Sequence, residues 1–244
     1  YLREMKKEEQ KSGKRLLDVV DVHFYPQGEG LYSARADADA VGRRIRSTRS
    51  LWDPTYKDES WINETIELLP RFERLFNDNY PGTKLSIGEW NFGGEAHISG
   101  AIAMADALGR FGQSPIMASA FYWTYPGENT PAYWAYRAYR NYDGKNAHFL
   151  EESVPVRGSN DLAIFASRDS GHKRLVAVAI NSDTRDAIEA DVTLNACGTV
   201  RATRTFRMTE DAPQLAAESP HQIANGVMTD VLPPQSITVY ELAQ

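Results

Sequence analysis

At 244 residues the chain exceeds the usual single-domain length, so two domains or one large barrel is the expectation. Its 42% hydrophobic, 11% aromatic and 25% charged residues make an ordinary globular mix that excludes a disordered or collagen-like chain, and no run reaches transmembrane length. A formal net charge of −6 excludes a global positive field able to hold nucleic acid, and the single cysteine, Cys197, excludes an intrachain disulfide framework. Cys197 reads as a small strand residue.

In chain order, Leu2 and Met5 begin a helical spacing that stops at Gly13, a natural residue just past a helix C-terminus. Tyr1 falls within that spacing with no capping residue and no signal region, which predicts a piece of a longer, processed protein. Leu17 to Tyr25 alternates strictly, with Val20, Val22 and Phe24 on one face and Asp21, His23 and Tyr25 on the other, and Pro26 ends the strand. A long loop carrying Trp52 follows. Arg43, Arg44, Arg46 and Arg49 form a basic cluster there, read as a solvated face. From about Ser60, Ile62, Ile66, Leu69, Phe72 and Phe76 recur at helical steps, with Pro70 expected to kink or split the helix.

Lys84 to Trp90 predicts a second strand, followed by a helix capped by Ser99 that carries Ile102, Ala105 and Leu108 on one stripe. Ile116 to Thr124 predicts a third strand, and Pro131 opens a third helix containing Trp134, Tyr136 and Tyr139. Repeated strand and helix imply parallel βα units, whose chemistry sits at the C-terminal ends of the strands when they close into a barrel. All five Trp, 11 of 12 Tyr and six of nine Phe lie in residues 1–145. Beyond Asp143-Gly144-Lys145 the pattern changes to short alternating segments at Leu162–Ser167, Arg174–Asn181, Ala187–Leu194, Val200–Phe206 and Ser236–Leu242. That spacing is the mark of a β-sandwich. The chain therefore divides into an α/β part, residues 1–145, and an all-β part, residues 146–244.

The most informative segment is Leu85-Ser86-Ile87-Gly88-Glu89-Trp90-Asn91. Alternation puts Leu85, Ile87 and Glu89 on one face, so a carboxylate ends a row whose earlier members fill the interior. A carboxylate at a strand mouth, followed by aromatic and hydrogen-bonding groups, is what a covalent glycosidase needs. The alternative is a solvated or Arg-paired strand-end glutamate. His23 and Tyr25 point to the same mouth; Tyr25 could orient Glu89 and His23 could bind a sugar hydroxyl, or both are satisfied strand-end groups. Asp21 lies deeper and is expected to have a buried partner. Trp52 and Trp123 suit sugar stacking, because pyranose C–H faces are apolar, while Trp61 and Trp134 fall on helical patterns and read as packing residues. Glu95 and Glu128 lie in loops near the same strand ends and could contact substrate, but solvated loop carboxylates are commoner, so neither is taken as a site residue. No phosphate-cradling loop, His-rich metal spacing or Ser-His-Asp set stands out, so no cofactor or metal is implied for the chemistry, and a structural calcium is left open by the sequence.

The order of segments resembles glycoside hydrolase family 44, the endo-β-1,4-glucanase and xyloglucanase family. The carrying stretches are Gly13 to Pro26, Arg49-Ser50-Leu51-Trp52-Asp53-Pro54-Thr55-Tyr56, Tyr80 to Lys84 leading into Gly88-Glu89-Trp90-Asn91-Phe92-Gly93-Gly94, then Ile98 to Ala103 and Ala105 to Gly109. The resemblance implies the C-terminal part of a TIM (β/α)8 barrel followed by a β-sandwich, and retaining hydrolysis of a β-linked polysaccharide by two glutamates. Glu89 matches the family's nucleophile on the seventh barrel strand. Members show Thr-Glu-Tyr-Asn-Tyr there, so Gly88, Trp90 and Phe92 are departures expected to reshape the sugar wall. The acid/base glutamate belongs to an Asn-Glu-Pro segment on the fourth strand, whereas here Asn63-Glu64 is followed by Thr65 within the expected helix. The acid/base is therefore expected in a missing N-terminal half, and secretion is inferred from the polymeric substrate. Three readings stay open: an endoglucanase of this family, a xylan-directed relative, and a non-catalytic carbohydrate-binding remnant. One Tyr and no Trp in residues 146–244 count against the last.

Overall fold

The computed structural model describes residues 1–157, 162–194 and 200–243; Cys197, expected in a strand, lies outside them. The expected first helix forms as α1 (Leu2–Ser12) and ends where Gly13 turns left-handed at φ 70°, its N–H donating to the Glu9 carbonyl at 2.8 Å. The first strand is β1 (Val19–Phe24). What reads as a long loop contains α2 (Ala38–Ser47), capped by the Asp37 carboxylate on Ala40 N–H, and a 3-10 turn over Thr48–Leu51. The next helix is α3 (Leu68–Asn79), starting eight residues later than Ser60. Asp58 and Ser60 bond each other's local groups, and Asn63 and Glu67 take positive φ of 49° and 42°, so residues 60–67 cannot coil regularly. Pro70 then falls in the first turn, where its missing N–H costs nothing. Asn63-Glu64 lies outside any helix, and Trp61, expected to pack, is 85% exposed.

The chain continues through β2 (Lys84–Trp90), α4 (Ile98–Gln113), β3 (Met117–Tyr122) and α5 (Pro131–Arg140). Strands β1, β2 and β3 form a parallel sheet in that order. Thr130 caps α5 through its side chain, as Pro131 predicts. Helix α4 is capped by His97, whose ring nitrogen accepts from Ser99 N–H; Ser99 is the second helical residue, not the cap. Trp134 is half-buried against Tyr133 and the Arg137 guanidinium, as its helical spacing predicts.

The remainder is all β: β4 (Glu152–Val154), β5 (Leu162–Arg168), β6 (Arg174–Asn181), β7 (Ile188–Thr193), β8 (Arg201–Met208), β9 (Ala216–Glu218), β10 (Ile223–Ala224), β11 (Val227–Leu232) and β12 (Ser236–Ala243). Six strands pair antiparallel in the order β4-β5-β6-β12-β8-β9 and three in the order β10-β11-β7. Residues of both sheets share a core that includes Ala177, Met228, Leu232 and Leu242. Strand β11 escapes sequence reading because Asp230 stands between Met228 and Leu232 on its buried row, where Arg207, Tyr240 and His221 face its carboxylate.

The other face of the six-stranded sheet joins α4 and α5 in one continuous core, containing Ile102, Ala135, Phe165, Val178 and Val239. Gly109 permits this approach, since a Cβ there would overlap the Phe165 ring. Tyr142 donates to Glu241 at 2.6 Å, and Arg204 bridges Glu241 and Asp143 at 2.5 and 2.6 Å, tying the end of α5 to β12. Gly109→Ala should therefore destabilise the chain by about 1–3 kcal/mol, with Phe165→Leu recovering part of the loss, in urea unfolding of the single and double variants.

Of the arginine cluster, Arg44 is fully buried, contrary to the solvated face expected. Its guanidinium donates to the carbonyls of Leu31 (3.0 Å), Gly30 (3.2 Å), Ser33 and Arg35 (both 3.3 Å) and to Ser99 Oγ (2.7 Å). Arg46 and Arg43 instead pair with Glu59, and Arg49 with Asp53. Helical spacing from Val41 puts Arg44 on the buried stripe with Ala40 and Ser47, a signal that charge alone obscures. Arg44→Met keeps the aliphatic stem but leaves buried carbonyls unpaired, and should cost at least about 2 kcal/mol in urea unfolding. A change below about 0.5 kcal/mol would mean that the loop simply rehydrates.

Candidate active site

Local register decides where Glu89 points. Asp21 pairs with Ser86 and Val22 with Ile87, but His23 pairs with Glu89, so Gly88 is an extra residue, a bulge in β2. Leu85 and Ile87 are fully buried in the core that also takes in α4, together with Val20 and Val22. Glu89 is shifted onto the opposite, open face with Asp21, His23 and Ser86. The expectation that Leu85, Ile87 and Glu89 share one face is thus corrected: uninterrupted alternation would bury the carboxylate in an apolar core, and the bulge reverses it. Gly88 stands beside Asp21, where an added Cβ would lie 2.5 Å from Oδ2. Asp21 is exposed rather than buried with a partner. Deeper in the row, Ser119 Oγ donates to Ser86 Oγ at 2.9 Å.

At the C-terminal end of these strands, Tyr25 donates its hydroxyl to Glu89 Oε2 at 2.8 Å, and His23 Nδ1 lies 3.5 Å from the same oxygen. Burial, and after it the bond to and charge of Glu89, pushes Tyr25 up to about 12. A cleft of about 740 Å³ opens beside Tyr25, lined among others by Tyr32, Asn91, Glu95, His97 and Trp123. Trp123, just past β3, is 51% exposed, and its indole N–H donates to Glu95 at 3.2 Å. The structure brings His23, Tyr25, Glu89 and Trp123 to one mouth.

Trp52 is not there. It packs under the Arg110 guanidinium, 4.1 Å from the ring centroid, in a separate crevice between α4 and the six-stranded sheet that also takes in Ile102 and Ile180. The unforeseen α2 explains the displacement, because it carries the chain down from the strand ends before Trp52 is reached. Trp90 and Phe92 are buried, Trp90 edge-on to Phe111 and Tyr122, so they back the site from the core and do not reshape a sugar wall. Gly93 and Gly94 take φ of 78° and 63°; a Cβ on Gly94 would overlap the Arg44 guanidinium, and one on Gly93 the Leu31 carbonyl. Arg44 thereby locks the loop after β1 against the loop after β2. Tyr32 completes the seam, its hydroxyl within 2.9 Å of the Pro26 carbonyl and 3.1 Å of the Asn91 carbonyl.

Glu95, weighed as a substrate contact and set aside as a solvated loop residue, lines the cleft and is the group the sequence-based site set lacks. Among the described residues no cluster of three or more His, Cys, Asp or Glu could hold a metal ion, and no helix is long and apolar enough to cross a membrane. A tyrosine-bonded carboxylate beside an aromatic-walled cleft can act as a nucleophile toward a bound sugar, or as its hydrogen-bond partner.

The model of glycoside hydrolase family 44 matches residues 1–28. Endoglucanase A of Paenibacillus lautus is 34% identical over 249 residues, covering 97% of this chain and 35% of its own length. A family 44 xyloglucanase from Paenibacillus polymyxa superposes with a TM-score of 0.91 at 34% identity, covering all of this chain and 50% of its own. A bifunctional glucanase-xylanase from a metagenome library gives 0.91 at 35% identity over 99% of this chain and 46% of its own. Sequence and fold agree over nearly the whole chain and the family model over its first 28 residues, so the chain resembles the C-terminal part of glycoside hydrolase family 44 enzymes. It spans about a third of that curated relative's length and half or slightly less of those solved chains.

Removing the Glu89 charge should lower the Tyr25 pKa. In Glu89→Gln it should fall from about 12 toward 10, without reaching it because burial persists, as read by NMR titration of tyrosine ring carbons. Because the folded-state value is raised, the associated stability is intact below about 10 and fades as pH rises through about 12, and that fading should be shallower in the variant.

Proposed function

We propose that the chain is the C-terminal portion of a retaining endo-β-1,4-glucanase acting on cellulose-type β-glucans and xyloglucan, with Glu89 as nucleophile. Residues 1–145 contribute three strands of a (β/α)8 barrel, and residues 146–244 form a β-sandwich that braces it. The observation that carries the reading is Glu89 itself: a carboxylate at the C-terminal end of the central parallel strand, bonded by Tyr25 and flanked by His23. Tyr25 holds Oε2, which leaves the other oxygen to attack an anomeric carbon, and Trp123 offers an exposed face for stacking a pyranose.

Retaining hydrolysis also needs a general acid about 5–5.5 Å from the nucleophile. No Asn-Glu-Pro segment occurs in the chain, so the acid/base glutamate is assigned to an upstream half of the barrel, and the assembled enzyme to the extracellular space where polysaccharide is found. The endoglucanase and xyloglucanase relatives support the substrate class, and the glucanase-xylanase makes xylan the second candidate.

The test is reducing-sugar release from carboxymethylcellulose, xyloglucan and xylan. The 244-residue chain alone should release none; fused to the upstream half it should be active, and Glu89→Gln in that fusion should lose roughly three orders of magnitude or more. Robust activity of the isolated chain would place the acid within it. Full activity of Glu89→Gln would remove Glu89 from the chemistry.

A further inference from the structure

Glu95 lies six residues past Glu89, in the loop between β2 and α4, and lines the cleft beside Tyr25. Three donors converge on its Oε1: Tyr122 Oη at 2.5 Å, Trp123 Nε1 at 3.2 Å and Asn91 Nδ2 at 3.4 Å. Its backbone carbonyl accepts from Ala132 N–H in the first turn of α5. The residue is therefore fixed at both ends across the mouth. Oε2, in contrast, accepts no hydrogen bond from any described residue. Among the described residues no lysine or arginine lines the cleft.

We propose that Glu95 is a sugar-recognition residue: Oε1 sets the plane of the Trp123 indole, and Oε2 accepts a hydroxyl of the neutral sugar stacked on that ring. Stacking supplies area but little direction, whereas a carboxylate accepting a hydroxyl selects orientation. Anchoring one oxygen on Tyr122, Trp123 and Asn91 leaves the other aimed without rotamer freedom to lose on binding. A carboxylate also repels acid-substituted sugars, so neutral glucosyl or xylosyl units are the favoured occupants.

The inference rests on the glycoside hydrolase reading, and the experiment separates the two. In the complete enzyme carrying Glu89→Gln, to prevent turnover, cellohexaose binding is measured by calorimetry. Adding Glu95→Ala should weaken binding about tenfold or more, since a hydrogen bond to a charged group is lost. Glu95→Gln, which keeps an acceptor for Trp123 and Tyr122, should recover most of the loss. In a Trp123→Ala background the effect of Glu95→Ala should shrink to about threefold or less, because the two residues act as one unit. With Glu89 intact, the loss in kcat/KM should fall on KM, whereas a residue that merely braces the loop would leave binding unchanged and lower the melting temperature. If Glu95→Ala does not fold, Glu95→Ser carries the same expectations.

Unchanged affinity in Glu95→Ala, or an equal loss with and without Trp123, overturns the assignment. If Glu89→Gln retains full hydrolysis, the assignment of Glu89 as nucleophile fails instead; if the complete enzyme with Glu89 intact hydrolyses no β-glucan, the glycosidase reading itself fails. If Glu89→Gln is inactive and binds cellohexaose while Glu95→Ala binds it equally well, only the role of Glu95 falls.

Discussion

The buried guanidinium of Arg44 is the interaction on which the mouth of the parallel sheet depends. Among the described residues no carboxylate bonds it; four carbonyls of the 30–35 loop and the Ser99 hydroxyl take its hydrogens, and burial pulls its pKa below the usual arginine value. A cation in such a place must be saturated with acceptors or be expelled, so the loop has to wrap around it. That wrapping brings Leu31 onto Gly93 and the guanidinium onto Gly94, and it sets Tyr32 between Pro26 and Asn91. Both walls of the cleft, one from the loop after β1 and one from the loop after β2, are referred to a single side chain on α2.

Behind the mouth, α4 is the shared strut. Its sequence is rich in Ala and Gly, and small side chains let α2, α5 and the six-stranded sheet approach it closely, with Gly109 against Phe165 and Tyr139 donating to the Ala105 carbonyl at 2.9 Å. The all-β part is accordingly joined to the α/β part by a continuous apolar core. Arg204, Glu241, Asp143 and Tyr142 add a polar clasp at the rim of that interface. A sheet packed so directly on the helices stiffens the scaffold beneath the site while standing apart from its cleft.

The site couples two departures from regular structure. The bulge at Gly88 turns a row that would bury Glu89 into one that presents it beside His23 and Tyr25. The anchored Glu95 then holds Trp123 across the opening. Neither is a property of one residue: each arises where a loop or strand from a neighbouring βα unit supplies the partner.

Much of this was legible in the chain itself. Period-two and helical spacing located β1, β2, β3, α1, α4 and α5 and five of the all-β strands, because burial on one face writes a period into any regular element. The strand ends carrying His23, Tyr25, Glu89 and Trp123 followed from the same patterns. What failed did so where a neighbour distant in sequence overrides the local signal. Arg44 looks solvated until four carbonyls close on it, and Asp230 hides β11 because its partners lie on other strands. Trp52 looks like a loop aromatic until α2 carries it under Arg110. Alternation assigned Glu89 to the right mouth through the wrong face, since pairing with β1, and not the sequence of β2, reveals the extra residue at Gly88. Local periodicity determined which segments are strands and helices; hydrogen-bond pairing between segments, which no single segment encodes, decided which way the functional side chains point.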